Sequence, residues 1–250
     1  MTKKMIILIS VFICASLLAG CDRRSSLNRT RNEISFSTDL SLIKDYSTRR
    51  NRADIDFFRE GNAFSDAIIR VNGITIQNAG GSIYFDTLFA PLNTGLATIT
   101  FESPDDDYLD SLIFDMPDSF GVTLVSPPEI NDAQEVYIEW SGADGATAYI
   151  LGISTEGAPF DGSTPFSKVF SGTARSYTLQ EVDSVFVDGA GYEVFGTYYI
   201  YLIAFNNGFK PYVGLKFPLP DDVPVRPLAG PSGTAGYGTI APIDSIRVIP

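Results

Sequence analysis

The 250-residue chain carries a net charge of −12 and contains no histidine and only two cysteines, Cys14 and Cys21. Without histidine the usual general base, the Ser/His/Asp and Cys/His arrangements and the commonest metal ligand are all missing, which leaves paired carboxylates, Lys or Tyr nucleophiles and oxygen-only calcium sites; no motif for a catalytic site or a cofactor is found among them. Its acidity, concentrated after residue 60, disfavours nucleic acid as a partner, because phosphate binding is driven by Lys and Arg.

The chain opens with Lys3 and Lys4, continues with an apolar run from Met5 to Leu18 broken only by Ser10 and Ser16, and then reads Leu18-Ala19-Gly20-Cys21. A charged start, an apolar stretch and small residues at its end predict a signal peptide over residues 1–20. The run is shorter than the ~20 residues a spanning helix needs, and a polar, Arg-rich stretch follows it. The tetrapeptide ending at Cys21 resembles the lipobox of bacterial lipoproteins. That resemblance implies a diacylglycerol on Cys21, cleavage before it and acylation of the new amine, for instance by palmitate. Each buried methylene then contributes about 0.8 kcal/mol to membrane binding, so two or three chains anchor stably. The other reading is an ordinary secretory signal in which Cys21 is incidental. Loss of Lys3 and Lys4 with the signal takes the net charge from −12 to −14. The expected location is the bacterial cell envelope, lipid-anchored and extracytoplasmic, at the outer membrane or cell surface more than the inner membrane. Asp22 weighs the other way, since that residue type beside the lipidated Cys resembles a retention signal of some Gram-negative groups.

Residues 21–53 are polar and rich in Ser, Arg and Asn, with a short strand expected only at Glu33–Phe36, and they read as a flexible tether. Arg23, Arg24, Arg29, Arg31, Lys44, Arg49, Arg50, Arg52 and Arg59 all precede residue 60. Basic residues beside an anchor gain about 1 kcal/mol each on anionic headgroups, although a solvated tether accounts for them equally well.

From Asp54 short apolar or alternating runs are separated by Gly, Pro, Asn and Asp. Asp54–Phe58 is followed by Ala67–Val71, Asn72-Gly73 and Ile74–Gln77. Asn-Gly between two β-branched runs is a strong hairpin signal, because a type I′ turn needs positive φ at both central positions. Further strands fit Ser82–Phe85, Ala97–Glu102, Ser111–Phe114 and Gly121–Val125. Residues 54–126 are therefore predicted to form a small antiparallel sandwich, with Pro127-Pro128 at its boundary.

The next block, 127–218, has an alternating strand Glu135–Trp140, a Gly-rich turn, the strand Ala148–Ile153, and the run Thr197-Tyr198-Tyr199-Ile200-Tyr201-Leu202-Ile203-Ala204-Phe205-Asn206. These residues resemble a fibronectin type III domain, within the wider immunoglobulin-like class. The resemblance places Trp140 on the second strand, Tyr149 on the third and Tyr198 as the corner tyrosine of the sixth, bonded to backbone upstream. Gln180–Thr197 is longer than the usual connection there. Residues 219–250, rich in Pro and Gly with a last strand-like run at Ser245–Ile249, read as a loosely packed extended segment. The predicted fold class is all-β, two small antiparallel β-sandwiches after a tether.

Two groups stand out as candidate sites. Asp105, Asp107 and Asp110 offer oxygen ligands to calcium, against the plainer reading of an acidic turn. Tyr199, Tyr201 and Phe205 fall on the strand face opposite Tyr198, Ile200, Leu202 and Ala204. They form an aromatic stripe that either faces a ligand, such as a sugar ring or a protein, or packs under the 180–197 loop or against the neighbouring domain. The functional expectation is a non-catalytic binding or scaffold module for protein or glycan. The alternative is an envelope enzyme, or its accessory subunit, acting on polysaccharide through paired carboxylates.

Overall fold

The structure, a computed structural model, describes residues 34–88, 95–131, 135–156, 165–211, 215, 217–228 and 230–250. Cys21 and the basic residues 23–31 lie outside them. The strands in chain order are β1 (Phe36–Asp45), β2 (Arg50–Arg59), β3 (Asn62–Ala63), β4 (Ile68–Val71), β5 (Ile74–Ile76), β6 (Asn78–Gly80), β7 (Ile83–Leu88), β8 (Gly95–Ser103) and β9 (Tyr108–Met116). They are followed by β10 (Val122–Ser126), β11 (Glu129–Asn131), β12 (Val136–Trp140), β13 (Ala148–Thr155), β14 (Phe166–Ser171), β15 (Ser176–Leu179) and β16 (Gly196–Phe205). The C-terminal region adds β17 (Arg226–Pro227), β18 (Ser232–Ile240) and β19 (Asp244–Ile249).

The first sandwich sets strands in the order β18-β1-β2-β7-β6 against β5-β4-β8-β9. Alternation puts Leu40, Leu42, Ala53, Ile55 and Phe57 of one sheet against Ile69, Val71, Ala97, Ile99 and Phe101 of the other, all buried. Phe57 and Phe101 stack with ring centroids 5.2 Å apart. The predicted hairpin forms, with Asn72 at φ 49° and Gly73 at φ 82°.

In the second sandwich β10-β12-β15 faces β13, β14, β16 and β19. Trp140 is buried against Tyr149 and Phe170, and the Tyr198 hydroxyl donates to the Val194 carbonyl at 2.8 Å. Both are the arrangement that the fibronectin type III resemblance implies, and this half of the chain is fibronectin type III-like.

The two halves share a strand. β18 runs parallel to β1 from Ser37↔Ser232 to Asp45↔Ile240, and its last residues pair antiparallel with β16, Ile203↔Ile240 to Phe205↔Gly238. β19 continues along β16, Tyr198↔Ile246. One sheet of twelve strands therefore passes through both sandwiches. A third apolar cluster, of Ile43, Ile150, Ile203, Phe205, Phe209, Phe217 and Ile240, fills the junction.

Three expected boundaries are corrected. Within the predicted tether, residues from Phe36 onward are β1 and the start of β2, and Phe36, Leu40, Leu42 and Ile43 are core. Their signal was masked by Asp39 and Ser41 on the outer face and by Lys44 and Asp45, which are buried though charged. The segment 219–250 is not loose: it supplies β18 to one sandwich and β19 to the other. The second sandwich consequently extends past residue 218, to Ile249.

Glycines in β18 mark close backbone approach rather than looseness. Gly233 has φ 135°, and a Cβ there would be driven into the Thr38 carbonyl of β1; one on Gly236 would meet the Lys210 backbone nitrogen. Gly233→Ala should therefore lower stability by roughly 2 kcal/mol or more. Gly189→Ala, which meets nothing within 4 Å, should stay within about 0.5 kcal/mol. Urea denaturation followed by circular dichroism measures both, and equal midpoints would contradict the contact.

Candidate functional site

The long connection after β15 is a pinned loop. Its first turn, Glu181–Asp183, is closed by a reciprocal box: the Asp183 side chain accepts the Gln180 backbone N–H at 2.9 Å while the Gln180 side chain accepts from the Asp183 backbone. The Tyr177 hydroxyl donates to Asp183 at 2.9 Å and accepts from Lys168 at 2.7 Å. Further on, Val187 bridges to Glu193, and Asp188 Oδ1 accepts the backbone N–H groups of Ala190 and Tyr192 at 2.8 and 2.9 Å. Phe186 packs edge-on against Tyr198, centroids 5.0 Å apart, and Val185 is buried.

Between this loop and the end of the sandwich lies an open cleft of about 510 Å³, counting the space at its mouth. Ile130, Leu179, Val185 and Val248 supply apolar walls, with the exposed Glu181 and Glu193 at the rim. The loop also exposes Val182, Tyr192 and Phe195, at 80, 73 and 49%. Apolar exposure this concentrated is a mark of interaction surfaces. From Ser176 to Phe209 the chain has no Lys or Arg, while Glu181, Asp183, Asp188 and Glu193 fall on the loop.

The sequence singled out this loop by its length but placed the ligand face elsewhere. Tyr199, Tyr201 and Phe205 do lie opposite the buried Tyr198, Ile200, Leu202 and Ala204. They are not a ligand-facing stripe. Phe205 is 1% exposed with Phe209 at 6.1 Å, Tyr201 packs under Phe217 at 5.6 Å, and Tyr199 is half-buried. Burial pushes the Tyr201 hydroxyl pKa up. The cover comes from the stretch after β16, whose Phe217 lies against Gly152, rather than from the 180–197 loop.

The calcium candidates do not converge either. Asp105 and Asp107 flank Asp106 in a turn where Asp106 pairs with Arg59 and accepts Ser103 Oγ at 2.6 Å. Asp110 Oδ1 accepts the Ser111 N–H at 2.7 Å. Among the described residues no three acidic, His or Cys side chains are grouped to hold a metal ion.

A row of polar groups on the outer face of β1, β2 and β18 ties strands together. Lys210 pairs with Asp39 at 3.1 Å and donates to Thr234 at 3.0 Å, and Ser82 donates to Asp56 at 3.1 Å. Burial raises the Asp39 carboxyl, but the Thr234 hydrogen bonds and Lys210 outweigh it and hold its pKa below the usual range. Asp54 differs: burial, then Asp56 on the same face, pushes its pKa up.

No family model and no curated protein matches this chain. Solved structures similar to it include the FN1–FN3 domains of chicken CNTN1, at 11% identity over 85% of this chain with a TM-score of 0.28; the chain spans 64% of that one. The fibronectin(III)-like modules of Clostridium thermocellum CbhA match at 8% identity, covering 85% of this chain and 93% of theirs, with a TM-score of 0.26. The I-band fragment I67–I69 from titin matches at 13% identity over 87% of this chain and 66% of its own, with a TM-score of 0.23. At scores of this size the fold stands on the strand register described above.

Because the folded state raises the Asp54 pKa, that carboxylate disfavours the fold once ionised, and the penalty vanishes as pH falls below the ordinary Asp range and both states are protonated. Asp54→Asn should therefore raise the urea midpoint at neutral pH, with the gain shrinking as pH is lowered through the carboxylate range. A gain that grows towards acid pH would contradict this.

Proposed function

We propose that this chain is a lipid-anchored, extracytoplasmic protein of the bacterial cell envelope, whose joined sandwiches form a non-catalytic spacer presenting the 180–197 cleft away from the membrane. The observation that carries the reading is the direction of the shared sheet. The first strand starts at Phe36, beside Ser232, whereas the cleft lies against Val248 near the end of β19. At roughly 3.3 Å per residue, the path from Ser232 through β18 and β19 to Val248 covers about 50 Å. Cys21 would fasten the Phe36 end, and the acidity of the remaining chain disfavours its lying on anionic headgroups. The partner at the far end is a protein segment or a glycan; the burial of Phe205 and the packing of half-buried Tyr201 under Phe217 weigh against sugar stacking at the stripe. 

Energy transfer tests the orientation. Lipidated protein in vesicles carrying an acceptor on the headgroups would be labelled through Asn62→Cys, near the Phe36 end, or through Tyr192→Cys on the loop. Transfer should be strong from position 62 and weak from position 192, and Cys21→Ser should leave the protein unbound to vesicles. Equal transfer from both positions, or undiminished binding of Cys21→Ser, would contradict the proposal.

A further inference from the structure

The first sandwich ends on an open sheet edge. Among the described residues β9 pairs with β8 alone, in an unbroken register from Gly95↔Met116 to Ser103↔Tyr108. Which backbone groups face the open side follows from β8. Thr98 accepts the Asn72 N–H at 2.8 Å and gives its own N–H to Asn72 Oδ1 at 2.8 Å, so its backbone is turned to the β4 side. Alternation then turns Ala97, Ile99 and Phe101 to β9, where Phe114, Leu112 and Asp110 meet them, and the N–H and C=O groups of Leu109, Ser111, Ile113 and Asp115 face outward. The Asp115 carbonyl agrees, since it accepts from the Asn206 side chain, outside the sheet, at 3.3 Å. Leu109 and Ile113 on this edge are 58 and 57% exposed, and β9 has no proline, lysine or bulge to deter an added strand.

We propose that β9 is a docking edge for a second copy of this chain, and that the Asp110 carboxylate holds it closed.

A second copy is the occupant because β9 is complementary to itself. Antiparallel pairing about a two-fold axis at Ser111 sets the two Ser111 residues against each other and Leu109 of each copy against Ile113 of the other. Every outward group of these three residues then finds a partner, and the exposed apolar side chains lie side by side. The neighbouring registers that keep the faces matched are worse. An axis at Asp110 brings the two Asp110 carboxylates together, and one at Leu112 sets Leu109 against Asp115, whose carbonyl is already taken.

Asp110 opposes the favoured register. Its Oδ1 accepts the Ser111 N–H at 2.7 Å, which is the donor at the centre of the pairing. The carboxylate is held there: the Tyr108 hydroxyl donates to Oδ2 at 3.4 Å, and a Cβ on Gly230 would come within 2.6 Å of the same oxygen. Burial, then Asp110 beside it, pushes the Tyr108 pKa up, so that hydroxyl keeps its proton as a donor. In a pair the two Asp110 residues would stand one position either side of the axis, about 8 Å apart between Cα atoms. A charge turned inward on an edge strand deters pairing in this way.

Sedimentation velocity of the full chain in detergent, from about 1 to 100 μM, tests this. Wild type should stay monomeric throughout, and Asp110→Ala should become mostly dimer at the top of the range. Adding Ile113→Lys to Asp110→Ala should restore the monomer, since lysine on an edge opposes pairing. Facing residues of a hydrogen-bonded pair lie ~5.5 Å apart between Cα atoms, within disulfide reach. Ser111→Cys in the Asp110→Ala chain should therefore give about tenfold more bridged dimer on mild oxidation than Ser111→Cys alone or Ser126→Cys in the Asp110→Ala chain. Circular dichroism shows whether each variant is folded, and Asp110→Ser is read the same way where Asp110→Ala is not. A folded Asp110→Ala or Asp110→Ser chain that stays monomeric, or association that Ile113→Lys leaves in place, would overturn the proposal. So would bridging through Ser111→Cys that is equal with and without Asp110. Neither readout involves a bilayer, so the outcome is independent of the anchored spacer.

Discussion

Strand β18 holds hydrogen bonds to β1 along nine residue pairs and to β16 along its last three. Most of what is unusual here depends on that double commitment. A strand rises about 3.3 Å per residue and offers two edges; β18 gives one edge to each sandwich where they meet. Ile240 and Ile43 close the junction against Ile203 and Phe205, and Lys210 fastens the returning chain to Asp39 and Thr234. The third apolar cluster is thus a seam rather than a second-rank core. It explains why the outer aromatics of β16 are covered, and why Gly236 and Gly238, crowded by the Phe209–Lys210 stretch, stand in a strand that otherwise packs tightly.

Much of the fold was legible in the residues because its signals are local. The Asn72-Gly73 turn, the alternation about Trp140 and the Tyr198 corner each depend on neighbours in sequence, and each forms. What was hidden depends on pairing at long range. β1 is read as polar from Asp39, Ser41, Lys44 and Asp45, yet its alternate positions face a core completed some 200 residues later by Ala235 and Tyr237. The glycines of β18 suggested looseness because nothing nearby in sequence reveals that Thr38 and Lys210 will crowd them.

The candidate site shows the same division. The length of the 180–197 loop is visible in the sequence, and strand alternation sets Tyr199, Tyr201 and Phe205 opposite the face of Tyr198, Ile200 and Leu202. Outward from one sandwich proved to be inward to the seam, since Phe209 and Phe217 return across that face. The signal for the loop's own surface was present: a stretch without Lys or Arg, holding Val182, Tyr192 and Phe195 among four carboxylates. Its meaning required the cleft that Ile130 and Val248 complete from distant strands.

If β18 makes one unit of the two sandwiches, they must lose structure together. Urea unfolding followed by Trp140 fluorescence reports the second sandwich, and hydrogen exchange at Leu40–Leu42 and Ile55–Phe57 in the same solutions reports the first. Coincident midpoints are predicted. Two separated transitions, with exchange at Leu40–Leu42 complete while Trp140 remains buried, would contradict the shared strand as the constraint on which this structure rests.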